Sequence, residues 1–257
     1  MPEGDTVFRA AKRLDEALAG RIVTRFELRV PQAATVDLRG EQVRSVVARG
    51  KHLLMRIGSL TVHSHLKMEG EWHVYRAGER WRQPAFRARA IVGTAANEAV
   101  GFDLAEIKVV PTADEESLVG YLGPDPLGDH WDPEEAARRV GADPRPAHVA
   151  LLDQRNMAGL GNEYVNELLF VRGILPTRPA TETDAAALVA TGAAMLRANR
   201  DRTPRTFTGD SRPGRADWVY RREHRPCRRC GTLIEGGSLG ADPTRERIVF
   251  WCPRCQT

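Results

Sequence analysis

Four cysteines constrain this chain more than any other feature, and all lie beyond residue 226. They stand as Cys227-x-x-Cys230 and Cys252-x-x-Cys255, with 21 residues between the pairs. Each CxxC turn aims two thiolates at one metal, and two such turns complete a closed tetrahedral site. A closed site has no open position, so the expected zinc is structural and replaces the core that so short a module cannot build. An iron–sulfur or redox role is the alternative, and no further ligand type supports it. Between the pairs, Ile234 and the run Ile248-Val249-Phe250-Trp251 predict a β-hairpin from which Arg245 and Arg247 project. Arginines so placed usually contact phosphate.

Disulfides are the other use of cysteine, and they are rare in the cytoplasm. No amino-terminal basic-then-apolar segment reads as a secretory signal. The longest mostly apolar stretch, residues 185–196, is too short and too interrupted to span a bilayer. The expectation is a cytoplasmic chain without membrane contact, and in the absence of any sign of an oligomer interface, a monomer.

The rest of the 257 residues read as an α+β multidomain protein. Residues 5–19 predict an amphipathic helix capped by Asp5 or Thr6, with Val7, Ala10, Ala11, Leu14 and Leu18 as its stripe and Gly20 at its end. Residues 21–110 alternate as strands: Ile22, Thr24, Phe26, Leu28 and Val30 share one face, and 43–47 and 52–57 flank the turn Arg49-Gly50-Lys51 as a hairpin. Short strands at this spacing suggest a β-sandwich or barrel. Residues 111–145 are rich in Pro, Asp, Gly and Glu and read as a linker. Helices are then expected over 146–157, 163–171 and 184–200, and loop over 201–217. The expected domains are 1–112, an acidic linker 113–145, a helical domain 146–217 and a zinc finger 218–257.

Charge follows the same divisions. Residues 1–110 hold 18 basic against 13 acidic side chains, residues 111–150 hold 3 against 9, and residues 151–257 hold 17 against 12. Basic regions flanking an acidic connector fit nucleic acid as a partner, and fit ordinary surface charge in an arginine-rich protein equally well. Lysine is used only at Lys12, Lys51, Lys67 and Lys108. A lysine kept where arginine is the habit points to use of its titratable amine.

Two segments carry chemistry. In Gln154-Arg155-Asn156-Met157-Ala158-Gly159-Leu160-Gly161-Asn162-Glu163, Gly159 and Gly161 bracket a turn between helices. Asn162 opens the second helix, where free N–H groups and the dipole favour an anion such as phosphate; a plain N-cap explains it as well. At the amino terminus, Met1-Pro2-Glu3-Gly4 has a small second residue that permits removal of Met1. Pro2 then carries a secondary amine that titrates near ~8, and the adjacent helix start further disfavours its ammonium form. Attack of that amine on a sugar C1′ yields an iminium, an electron sink for elimination. Glu3 beside it is placed to move protons.

The set MPEGD, RGKHLL, HLKMEG, LGPDPLGD, LLDQRNMAGLGNEYVNELLF and the terminal CxxC…CxxCQ resembles the formamidopyrimidine-DNA glycosylase/endonuclease VIII family nearly end to end, in order and at family spacing. The resemblance implies an amino-terminal β-sandwich with the catalytic residues, a helix–two-turn–helix domain and a β-hairpin zinc finger, with damaged DNA in the cleft between domains. It implies a bifunctional glycosylase/AP lyase of base excision repair, bacterial and nucleoid-associated, that removes oxidised bases and cuts by β,δ-elimination. Pro2 matches the Schiff-base nucleophile, Glu3 the acid, and Lys51 the lysine that assists β-elimination and binds phosphate. Asn162 matches the phosphate-binding asparagine. Arg247 matches the zinc-finger arginine that grips phosphate and is credited with δ-elimination.

Met68 in HLKMEG matches the intercalating methionine of the formamidopyrimidine branch, an apolar wedge; a strand-core methionine is the other reading. Lys67 stands where that branch commonly has glycine. The Arg…Phe loop that accompanies the methionine there is missing, and residues 101–106, GFDLAE, occupy its neighbourhood. LLDQRNMAGLGN and FWCPRCQ lean towards endonuclease VIII. Oxidised pyrimidines are the favoured substrates, with oxidised purines such as 8-oxoguanine as the alternative. A non-catalytic damage-binding relative is the rival from another class, and retention of Pro2, Glu3 and Lys51 argues against it.

Overall fold

The computed structural model describes residues 2–240, 242 and 246–257, and the chain divides into two compact units, Met1–Tyr121 and Leu122–Thr257. Met1 and Arg245 lie outside the described residues.

In the first unit, helix α1 spans Gly4–Leu18. Its stripe is as the spacing predicts: Val7, Ala11, Leu14 and Leu18 are buried. Its cap is not Asp5 or Thr6. The helix begins earlier, and the carbonyl of Glu3 accepts from the N–H groups of Thr6 and Val7 at 2.9 and 3.0 Å. Past the helix, Gly20 adopts φ +77°, which a side chain would resist. Strand β1 covers only Arg25–Leu28. Phe26 and Leu28 point inward as expected, but Ile22 and Thr24 do not, because a bend at Thr24 slips the alternation by one and buries Val23 instead.

Strands β2 (Val43–Arg49), β3 (His52–Ile57), β4 (Leu60–His65), β5 (Glu71–Arg76), β6 (Ala88–Gly93), β7 (Asn97–Phe102) and β8 (Glu106–Pro111) complete two antiparallel sheets, β1-β6-β7-β5 and β2-β3-β4-β8. Leu14, Phe26, Val46, Met55, Val62, Trp72, Val92 and Ile107 share one core, drawn from α1 and both sheets, so the unit is a sandwich. A second, smaller cluster, Tyr75, Ala88, Ile91, Val100 and Phe102, sits with Trp81 against it. A four-residue helix α2 (Glu116–Val119) precedes the end of the unit.

In the second unit, part of the expected linker is helix. Asp132 accepts from the Glu135 N–H at 2.9 Å and Pro133 follows it, a start signal that opens α3 (Pro133–Gly141). Ala136 and Val140 bury into the same core as Leu151, Leu160, Leu168 and Leu196, and the polar side of the helix carries Glu134 and Glu135 in its first turn and Arg138 and Arg139 in its last. Helix α4 is Ala147–Leu152, half the length expected. Asp153 stops it: its carboxylate accepts from the Arg155 N–H at 3.0 Å, a local turn that competes with the helix. Helix α5 (Asn162–Arg172) ends at Gly173 with φ +70°, and α6 (Ala185–Asn199) is capped by Asp184. The polar stretch 201–217 holds neither helix nor strand, as expected. Strands β9 (Glu235–Leu239) and β10 (Arg247–Trp251) pair antiparallel, with Arg247 opposite Leu239. Among the described residues no helix is long and apolar enough to cross a membrane.

Candidate functional site

In the first unit, two hydrogen bonds fix how α1 lies along β2. The Gly20 N–H meets the Val43 carbonyl at 2.8 Å, and Asp15 accepts from the Val46 N–H at 2.7 Å. Helix numbers fall as strand numbers rise, so the two run antiparallel. From Asp15 back to Gly4 the helix rises about 16 Å, and from Val46 to Arg49, where β2 ends, the strand advances about 10 Å before the turn. The helix start therefore lies towards the end of β2 that carries the β2–β3 turn. That turn has two residues, Gly50 and Lys51, between the paired Arg49 and His52, and Gly50 takes the positive φ (+57°) that a tight hairpin requires. Pro2 is half-buried, Glu3 is fully buried at the positive end of α1, and Lys51 is half-buried. The carboxyl of Glu3 thus lies where the helix dipole favours negative charge.

Next to Lys51 a chain of rings runs inward. His52 Nδ1 and His63 Nε2 are 2.8 Å apart, and His52 Nε2 and the Tyr121 hydroxyl 3.0 Å apart. His65 meets the His52 ring edge-on at 5.1 Å. Burial pushes His52 down to about 3, aided by His63 and His65, and burial with Lys67 pushes His65 down to about 4. Both rings are neutral at pH 7. The nearby Glu106 is held down to about 2, first by its hydrogen bond to Lys108 and further by Lys67. Lys67 itself has φ +53°, the left-handed region, at a position where the resemblance calls for glycine. Met68 beside it is 63% exposed, which removes the reading of Met68 as a core residue.

In the second unit, Asn162 is not an N-cap. Gly161 takes that position, and Asn162 is the first residue of α5, its side chain turned back into the protein. Its Nδ2 donates to the Ile248 carbonyl at 2.8 Å, and its Oδ1 lies 2.9 Å from His148 Nε2. The carbonyl needs a donor, so the amide nitrogen faces Ile248 and its oxygen faces His148; the His148 proton is therefore on Nε2. Burial holds His148 down to about 4. One turn on, Asn166 accepts from the Phe250 N–H at 2.6 Å. Two asparagines of α5 so pin β10, and Asn162 and Arg247 are brought together at the start of one helix. Arg247 is exposed.

The four cysteines converge as their spacing predicts, with all four sulfurs within 4.8 Å of one another. Sulfurs sharing one tetrahedral zinc at ~2.3 Å each stand ~3.8 Å apart, so the donor set fits that ion. Cys227 and Cys252 bury against Phe170, Val219, Ile234 and Phe250, which ties the module to α5.

The Formamidopyrimidine-DNA glycosylase N-terminal domain matches residues 1–106, and the Formamidopyrimidine-DNA glycosylase H2TH domain matches residues 122–198. "Probable endonuclease 8 2" of Streptomyces coelicolor is 52% identical over all of this chain and 94% of its own length. "DNA-(apurinic or apyrimidinic site) lyase Nei2" of Mycolicibacterium smegmatis is 51% identical over 100% of this chain and 99% of its own. The chain belongs to the formamidopyrimidine-DNA glycosylase/endonuclease VIII family. Its fold is that of MutM solved with carbocyclic 8-oxo-G containing DNA (TM-score 0.81, 23% identity) and of Lactococcus lactis Fpg solved with abasic-site DNA (TM-score 0.81, 22% identity), each matched over the whole of both chains.

Within this family member, sequence reasoning missed the buried polar groups that hold the site residues. Glu167 is fully buried in α5 and accepts from the N–H groups of Trp218, Val219 and Tyr220 at 2.8–2.9 Å. Burial pushes its carboxyl up to about 7 against the pull of those three donors. His52, His63, His148 and Asn166 were equally silent. A lone polar residue among apolar neighbours gives no spacing signal; only the partner supplied by the fold reveals it.

Proposed function

We propose that this chain is a bifunctional DNA glycosylase/AP lyase that excises oxidised bases, with pyrimidines favoured, and cuts the strand by β,δ-elimination. What carries the reading is the antiparallel lie of α1 along β2, which brings Pro2 and buried Glu3 towards the end of β2 that carries the Lys51 turn, in a family member whose relatives match the whole of this chain.

Once Met1 is removed, the Pro2 nitrogen attacks C1′ of the damaged nucleotide, and the C1′–N-glycosyl bond breaks. That nucleotide is first flipped out of the stack, since C1′ is otherwise unreachable. The Glu3 carboxylate takes the proton that the Pro2 nitrogen sheds after attack and passes it to the ring oxygen O4′, which opens the sugar and leaves an iminium between Pro2 and C1′. Loss of the C2′ proton expels the 3′ phosphate, and a second elimination expels the 5′ phosphate, leaving a one-nucleotide gap. Lys51, Asn162 and Arg247 hold the flanking phosphates, and exposed Met68 fills the space left by the flipped nucleotide. The four cysteines hold one structural zinc, which supplies fixed geometry to the hairpin bearing Arg247 and no chemistry to the reaction. The protein acts as a monomer on DNA in the bacterial cytoplasm.

Incubation with a duplex carrying one oxidised pyrimidine tests this. The expected product is a gap with phosphate on both ends, formed faster than from 8-oxoguanine. Binding without scission by protein shown to lack Met1 would leave only a damage-binding relative.

A further inference from the structure

The segment 76–89, joining β5 to β6, holds five arginines against one carboxylate, Glu79. It is firmly held. Trp81 meets Phe102 edge-on at 5.9 Å and donates to Glu98 at 2.7 Å. The Arg82 N–H donates to the Tyr75 hydroxyl at 3.2 Å, Gln83 to Glu71 at 3.0 Å, and Arg29 to the Ala85 carbonyl at 3.1 Å. Arg87 pairs with Asp103.

At the β6 end of this anchored loop Phe86 is 79% exposed, the most exposed large apolar side chain among the described residues. Arg76, Arg80, Arg82 and Arg89 are exposed too, and among the described residues none pairs with a carboxylate. Arg80, Trp81, Arg82 and Pro84 line an open groove of about 490 Å³. The rigid loop thus keeps an aromatic ring in water beside cations that lack carboxylate partners, of which Arg82 also reaches over the Tyr75 ring at 6.0 Å. An unpaired nucleic-acid strand matches both, since its bases offer π-faces and its phosphates offer charge, whereas a duplex hides the faces.

The loop's position agrees. Ala88 pairs with Phe102, which pairs with Glu71, so β5 and β6 are two strand spacings, about 10 Å, apart. Phe86 lies two residues before Ala88 and Met68 three before Glu71, at the same end of the sheet.

We propose that residues 80–86 form a platform for an unpaired DNA strand beside the lesion site, with Phe86 stacked on a base and Arg80 and Arg82 on adjacent phosphates. The proposal rests on the reading of this chain as a DNA-processing enzyme. Its test compares full-length wild type, Phe86→Ala and the double variant Arg80→Ala/Arg82→Ala, all with unchanged thermal melting. Affinity for a single-stranded oligonucleotide is measured across a salt series, and cleavage of an AP site in duplex DNA is measured in parallel. Phe86→Ala should weaken single-strand binding by about fivefold or more at unchanged salt slope. The double variant should lower the slope of log K against log salt by about 1.4, the release expected for two phosphates. Duplex AP-site cleavage should persist in both. Wild-type cleavage with single-strand binding untouched by either variant overturns the platform and leaves the enzyme reading standing. A wild type that neither binds nor cuts DNA removes both. Equal binding of base-free polyphosphate, with no effect of Phe86→Ala, would reduce the loop to a general anion patch and also overturns the proposal.

Discussion

Asn162 Nδ2 donates to the carbonyl oxygen of Ile248 across 2.8 Å, joining the first residue of α5 to the strand that carries Arg247. The two phosphate-binding candidates of this unit are thus one construction rather than two. Asn162→Asp replaces that donor with an oxygen facing the carbonyl. The variant should lose about 1–3 kcal/mol of stability, the cost of a buried group left unpaired. Chemical denaturation measures the loss, and an unchanged midpoint would mean that the bond does not hold the strand.

Glu167 makes a related prediction. Glu167→Gln keeps the shape but turns an amide donor towards some of the three N–H groups of 218–220. It should cost about 1–3 kcal/mol and raise hydrogen exchange at those three amides. Wild-type exchange rates in the variant would show that the carboxylate does not organise this segment.

Much of this was legible in the sequence and some was not, for physical reasons. The α1 stripe, the β2–β3 hairpin and the cysteine cluster rest on periodicity or spacing, which one sequence displays. The shortening of α4 depends on the Asp153 side chain choosing a local turn over the helix. The helix at 133–141 was hidden because the Pro-, Gly- and Asp-rich stretch around it reads as linker, although the Asp132-Pro133 start was there to read. Site residues came from the motifs; their supports, His148, Asn166 and Glu167, came only from the fold.

His52 titrates against stability in a defined direction. Its folded value, about 3, lies below the ordinary histidine value, so the native state resists the proton that the unfolded chain accepts. Its contribution is complete above pH 6.5 and is lost as pH falls towards 3. His63, His65, Tyr121, Lys67 and Glu106 surround it. Relative to His52→Gln, wild type should lose up to about 1.4 kcal/mol of stability per pH unit in that window. Parallel pH profiles would show that His52 is protonated in the folded protein.

Removal of zinc should act locally at first. Chelation should abolish DNA binding and loosen the end of α5, because Phe170 shares a core with Cys227 and Cys252. The first unit should stay folded, since its core contains none of these residues. Circular dichroism and proteolysis check this, and global unfolding on chelation would contradict it.

Arg247→Ala should impair excision of damaged bases more than cutting at a ready-made AP site, because base excision depends more on a tight phosphate grip. Side-by-side rates on the two substrates decide it. Equal loss on both would argue against a substrate-dependent grip by Arg247.

The central claim is that Pro2 is the nucleophile, and borohydride trapping tests it most directly. Protein verified by intact mass to lack Met1 is mixed with an oligonucleotide carrying one AP site, reduced, digested and mapped by mass spectrometry. The account predicts a covalent adduct on the nitrogen of Pro2. An adduct confined to a lysine, or none from protein that binds the DNA, would contradict it.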